Sequence, residues 1–218
     1  DILGYFRILY CLYFLYFLPP AAQLAALAQA LLPCRAELLQ GGLGGPNRAR
    51  LLRHLLGGRP LLVPYDEDSN HAPCCRRGHK AHWALLNGVV VPVPPQAPLG
   101  PQFRRDPEIP NVFHARGGAW PGEGAPLFGE GASLLGEGEA LFEEGGSGFG
   151  SGVLVLALQP KSPRPQLWPL RALGASNAQL RELSPRRWGG GFVLPPGGVA
   201  GGLRGQAVLL HPRETPPQ

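Results

Sequence analysis

Residues 71–82, HAPCCRRGHKAH, bring three histidines and two cysteines within twelve positions. Two chemistries and one inert reading fit them. His71, Cys74, His79 and His82 are all permitted ligands of a tetrahedral zinc ion, although their spacing matches no common structural-zinc pattern. Alternatively, an imidazole within hydrogen-bond reach of a thiol takes its proton and later delivers one to a leaving amine, as cysteine-dependent peptide cleavage requires. His82 is the candidate for that role. In the inert reading the segment is a solvated, histidine-rich loop.

Whatever these residues do, flanking elements must hold them. His82 opens the apolar run to Val91, continuous enough for a central strand, which would fix the ring at the edge of a sheet facing a cleft. Pro60–Pro64 reads as a buried strand that runs into a turn-rich acidic loop, residues 65–81. Upstream, residues 21–32 are strong helix formers with Leu24, Leu27 and Leu31 at helical spacing. After the turn GGLGGPN (41–47), Ala49–Leu56 predicts a short helix with Asn47 as its cap and Gly57 as its stop. Downstream, Val153–Leu158, Phe192–Pro195 and Gln206–Leu210 predict strands, and SPRRWGGG (184–191) a connection. Between Gly122 and Phe149 a seven-residue unit recurs (GEGAPLF, GEGASLL, GEGEALF). Two glycines per unit cost about 1 kcal/mol each in a helix, so a coiled coil is excluded and a flexible low-complexity insertion expected.

Glycine (32) and proline (26) make up about a quarter of the 218 residues, and charged residues only 16%. Long helical bundles are excluded on that composition. The net charge of +5 is spread over single or paired arginines with no basic stripe interleaved with aromatics, which argues against nucleic acid. The glycine turn at 41–45 has no Lys-Ser/Thr after it, so it is no phosphate-binding loop. The four cysteines, Cys11, Cys34, Cys74 and Cys75, form no secreted disulfide framework, and a reducing cytoplasm is expected. Residues 1–18 are apolar with seven aromatics. Their uninterrupted stretch, Ile8–Leu18, is too short to cross a bilayer, so no membrane role is expected. With no methionine and Asp1 at its start, the chain is expected to be part of a longer product.

Several ordered blocks sharpen this picture. GGLGGPNR (41–48), PLLVPYDEDSNHAPC (60–74), GHKAHWA (78–84), DPEIPNVFH (106–114) and GLRGQAVLLHP (202–212) resemble, in the same order, blocks of the actin maturation protease family, the aminopeptidases that trim the actin N-terminus. The resemblance implies an α+β, papain-like cysteine peptidase fold, related to bacterial leader-processing peptidases, with an incomplete N-terminal helical part packed on an antiparallel sheet. It places the catalytic histidine on His82. The family's nucleophile, in a Gly-Pro-Gln-Cys-Gly block, has no counterpart here: Cys11 and Cys34 lack those neighbours, and Cys74 and Cys75 are close in sequence to His82. The family's acidic Trp-Asp-Tyr-Asp stretch is replaced by Trp168-Pro169-Leu170-Arg171, which leaves no orienting carboxylate there.

The organisation expected is an apolar segment (1–20), a peptidase-like core carrying the histidine strand (21–116), the Gly/Glu-rich insertion (117–152), the rest of the sheet (153–212) and a tail (213–218). The function implied is removal of the acetylated N-terminal Met or Cys of actin, with this chain inactive for want of a thiolate. A non-catalytic actin-binding remnant and a zinc module are the alternatives. Actin is the partner implied; profilin is implied for the family, but its proline-rich tail is missing here. No cofactor is implied. Loss of helical sequence from one wall is expected to leave apolar sheet surface bare and the chain poorly stable.

Overall fold

A computed structural model describes residues 18–92, 103–115, 152–185 and 197–213. The apolar segment 1–17 with Cys11, the repeat at 122–149 and the strand expected at Phe192–Pro195 lie outside the described residues.

Helix α1 (Ala21–Leu31) starts after the extended Pro20, since proline cannot continue a hydrogen-bonded turn on its N-terminal side but begins one well. Its buried face is Ala21, Leu24, Ala25 and Ala28, while Leu31 is exposed. The small alanines let the helix lie close to the sheet, so the leucine stripe read from spacing is only partly the core face. Strand β1 (Cys34–Gln40) follows. Helix α2 begins at Pro46, not Ala49, and runs to Leu56. Asn47 does not cap it: its Nδ2 donates backwards to the carbonyls of Gln40 and Gly42, at 2.6 and 2.9 Å, and so closes the glycine turn.

Strand β2 (Leu61–Glu67) is buried along its whole length. It passes the point where Pro64 was expected to end it, because Tyr65 and Asp66 still pair with His82 and Ala81 of β4 (Ala81–Val90). The two-residue β3 (Pro73–Cys74) pairs with the end of β2. A separate hairpin joins β5 (Phe103–Arg105) to β6 (Phe113–Ala115). Then come β7 (Leu154–Gln159), β8 (Ser162–Pro169), α3 (Leu170–Ala178), α4 (Gly198–Leu203) and β9 (Gln206–Pro212). The sheet order is β1-β9-β2-β4-β7-β8 with β3 beside β2, and every pairing is antiparallel. The class is therefore α+β with an antiparallel sheet, as expected. At one edge, β8 carries Pro165 and Pro169, whose missing N–H groups suit a strand with no further neighbour among the described residues.

Alternation along the strands splits the core in two. Leu62, Trp83, Leu85, Val208 and Leu210 face α1 and α4. Leu61, Val63, Tyr65, Ala84, Leu86, Ala207 and Leu209 face α2, α3 and Trp168. Both faces of the sheet thus carry a closed apolar cluster among the described residues, which corrects the expectation of a bare wall. Each fully buried leucine contributes about 2 kcal/mol.

One core group makes stability pH-dependent. His54, 4% exposed, donates through Nε2 to the Pro60 carbonyl at 2.9 Å, its ring edge-on to His211. Burial, chiefly, lowers its pKa from 6.5 to about 4. The unfolded chain therefore binds a proton over a range in which the folded chain does not. The resulting stabilisation, on the order of 3 kcal/mol, is complete above pH 6.5 and is lost as pH falls towards 4. Urea titrations at pH 7, 5.5 and 4 should show that slope, and His54→Gln, which keeps a donor without titrating, should flatten it.

Candidate functional site

The pleat that puts Ala84 and Leu86 in the α2/α3 cluster also puts His82 on that face, level with Tyr65 across the β2–β4 ladder. Two residues further along β2, on the same face, comes Glu67. Its carboxylate is 2% exposed and is the centre of the site. His82 Nε2 donates to its Oε2 at 2.8 Å, and Lys161, from the turn between β7 and β8, donates to the same oxygen. His71 Nδ1 donates to Oε1. Lys161 Nζ is also 3.2 Å from His82 Nε2. Exposure rises outward from the carboxylate, with side-chain values of 16% for His82, 22% for Lys161 and 34% for His71.

Burial alone would raise the Glu67 carboxyl. Hydrogen bonds from His82, Lys161 and His71, with the charge on His82, outweigh it and bring the pKa down to about 2. The site is an anion wrapped by three nitrogen donors, and such an anion orients a ring and stabilises the imidazolium formed when that ring takes a proton.

Two supports hold the cluster. In the loop after β2, Asp68 Oδ1 accepts the N–H groups of Asn70 and Ala72, and Tyr65 OH donates to the His71 carbonyl at 3.1 Å. His71 itself sits at φ 66°, in the left-handed region. On the opposite face, Asp66 is fully buried. Its Oδ2 accepts from the N–H groups of Arg76 and Gly78, and its Oδ1 from Lys80 N–H, at 2.7, 2.9 and 2.9 Å. Gln179 Nε2 adds a longer bond of 3.3 Å. Asp66 thereby gathers the segment that delivers the chain into His82. Gly78, at φ 98°, packs so closely that a Cβ would lie 3.1 Å from the Glu182 carbonyl.

The side chains considered for zinc are not brought to one point. His71 and His82 share Glu67 with an ammonium, while His79 reaches exposed Glu182 at 3.2 Å. Cys74 pairs with Asp66 and so falls on the other face of the sheet. Among the described residues no group of three or more His, Cys, Asp or Glu could hold a metal ion.

Residues 19–90 match the family model described as actin maturation protease-like, C-terminal domain. The chain is 46% identical to the actin maturation protease of Bos taurus over 202 residues, covering 89% of this chain and 51% of that protein. The Mus musculus protein is 46% identical, with 88% and 48% covered, and that of Danio rerio 39%, with 88% and 56% covered. The chain belongs to the actin maturation protease family. It spans about half the length of these curated relatives. No solved structure matches it.

Within that family frame, the thiols fall as follows. Cys34 is fully buried in the α1/α4 cluster, its Sγ donating to the Ala28 carbonyl, on the sheet face opposite His82. Cys74 lies on that opposite face too, and burial, followed by the Asp66 charge, pushes its thiol up to about 11. Cys75 is exposed. Trp168 lies next to the last residue of β8, its ring centroid 4.9 Å from that of Tyr65, and Leu170 and Arg171 open α3. The carboxylate for His82 comes instead from Glu67, upstream. Alternation signals it, since Tyr65 and Glu67 fall on one face once β2 is extended. Lys161 has no sequence signal.

Proposed function

We propose that this chain carries the acid–base side of a papain-like cysteine aminopeptidase acting on the actin N-terminus, and that the chain on its own does not turn over. The observation that supports this is the His82–Glu67 pair: an imidazole held at Nε2 by a buried carboxylate that stays ionised through the working pH range. With Nε2 committed to Glu67, the nitrogen that does proton chemistry is Nδ1. It takes the proton of a cysteine thiol as sulfur attacks the carbonyl carbon of the acetylated Met or Cys itself. It then gives that proton to the departing amine of the shortened actin, and water releases the acyl group from sulfur. Glu67 stabilises the imidazolium between the two transfers. Neither Cys34 nor Cys74 can be that sulfur, since both lie across the sheet from His82 and Cys74 is held as the neutral thiol. The cytoplasm is the compartment we assign, with actin as substrate; profilin is outside the proposal.

A chimera tests this. This chain replaces the half that it matches in the Bos taurus relative, and processing of purified unprocessed actin is followed by mass spectrometry. The chimera is expected to process actin, His82→Ala to lose roughly 10³-fold or more in rate, and the 218 residues alone to do nothing. Turnover by the chain alone, or a His82→Ala chimera as fast as its parent, would contradict the reading.

A further inference from the structure

Glu67 Oε2 is contested. His82 Nε2 and Lys161 Nζ both lie against it, and they lie 3.2 Å from each other. At 2.8 Å the contact between Nε2 and a carboxylate oxygen needs a proton on Nε2. If Oε2 swings aside, Lys161 becomes the donor to Nε2, the ring proton moves to Nδ1, and the ring can no longer accept a proton there. Two proton arrangements of nearly the same heavy-atom geometry therefore compete, and the direction of Oε2 decides between them.

That direction is set from the other oxygen. His71 Nδ1 holds Oε1, and it does so from φ 66°, a conformation that L residues with a full side chain adopt at a cost. The strain persists because three contacts over-determine it: the Asp68 turn, the Tyr65 hydroxyl and Glu67 itself. We propose that His71 is a positioning residue that turns Glu67 so that the His82 ring proton stays on Nε2, with Lys161 as the competing donor. Glu67 and Tyr65 from β2 and Lys161 from the β7–β8 turn face His82, with His71 acting through Glu67. The inference rests on His82 being the proton carrier proposed above, but its test does not need activity.

Long-range nitrogen–proton NMR correlations of the histidine rings, on the 218-residue chain at a pH where His82 is neutral, read the tautomer directly. The parent is expected to show the proton on Nε2. His71→Gly suits the left-handed backbone, so it should melt no lower than the parent while moving the His82 proton wholly or partly to Nδ1. His71→Asn also tolerates that backbone but is too short to reach Oε1, and should do the same. Adding Lys161→Met to His71→Gly removes the competitor and should return the proton to Nε2. An unmoved tautomer in both single variants, or no return in the double variant, overturns the proposal. A processing-competent chimera with an unmoved tautomer would sink this inference alone, whereas a shifted tautomer with an inert chimera would sink only the peptidase reading.

Discussion

Asp66→Ala is expected to lower the stability of this chain by about 4 kcal/mol, read as the free energy of unfolding in urea at pH 7. The carboxylate is fully buried and accepts from three backbone N–H groups and one side-chain amide. Alanine leaves those donors without an acceptor, and each buried N–H so stranded costs about 1–3 kcal/mol. The rest of the Arg76–Lys80 segment is pinned in place, with the Arg77 carbonyl accepting from Arg181 and Glu182 N–H and the Lys80 carbonyl from Glu67 N–H. Gly78 sits in a left-handed conformation with almost no room beside it, so the stranded donors cannot turn to new partners. Asp66→Asn keeps one acceptor oxygen of the right shape and should cost about half as much. Because the segment runs directly into β4, the alanine variant should also broaden the His82 ring signals. A loss near 1 kcal/mol would show that water replaces the carboxylate and that the segment is not built on it.

What the sequence conveyed, and what it hid, follows from the range of the interactions involved. The apolar run from His82 was legible as a central strand because strands buried on both faces read as continuous hydrophobic sequence. β9 was legible for the same reason. β1 was not: Cys34–Gln40 is composed largely of residues that favour helix, and it is a strand only because all seven of its residues pair with β9, some 170 positions away. β8 was hidden by its prolines, which interrupt a strand pattern in sequence yet are tolerated at the sheet edge. α3 was hidden because its core face, Leu170 and Leu173, is followed by the polar Ser176 and Asn177. Those two side chains bond the β2 backbone: Ser176 exchanges hydrogen bonds with the Asp66 backbone, and Asn177 donates to the Pro64 carbonyl. The site divides in the same way. His82 could be named from its block, whereas Glu67 was assigned to a loop because Pro64 looked like the end of β2, and Lys161 is brought in from 79 residues beyond His82.

Glu67→Gln should have an effect comparable with loss of His82 itself. An amide offers one acceptor oxygen and one donor nitrogen where the carboxylate offered two acceptors. Whichever way the amide turns, either His71 or the His82–Lys161 pair meets a donor where it had an anion, and the imidazolium formed during proton transfer loses its counterion. In the actin-processing chimera the expected fall in kcat is roughly 10²–10⁴-fold with KM little changed, the pattern of an interaction made mainly in the transition state. An equal rise in KM at constant kcat would instead assign Glu67 to substrate binding. The acid limb of stability gives an independent reading on the chain alone. The unfolded chain protonates this carboxyl near 4.5 and the folded chain only near 2, so the folded state is favoured above pH 4.5. That advantage, on the order of 3 kcal/mol, drains away as pH falls from 4.5 towards 2. Glutamine does not titrate, so the variant's unfolding free energy should lack this part of the slope. A variant that keeps the parent's acid profile would mean that Glu67 is not the carboxylate bound by His82, and the proton-transfer assignment would fall with it.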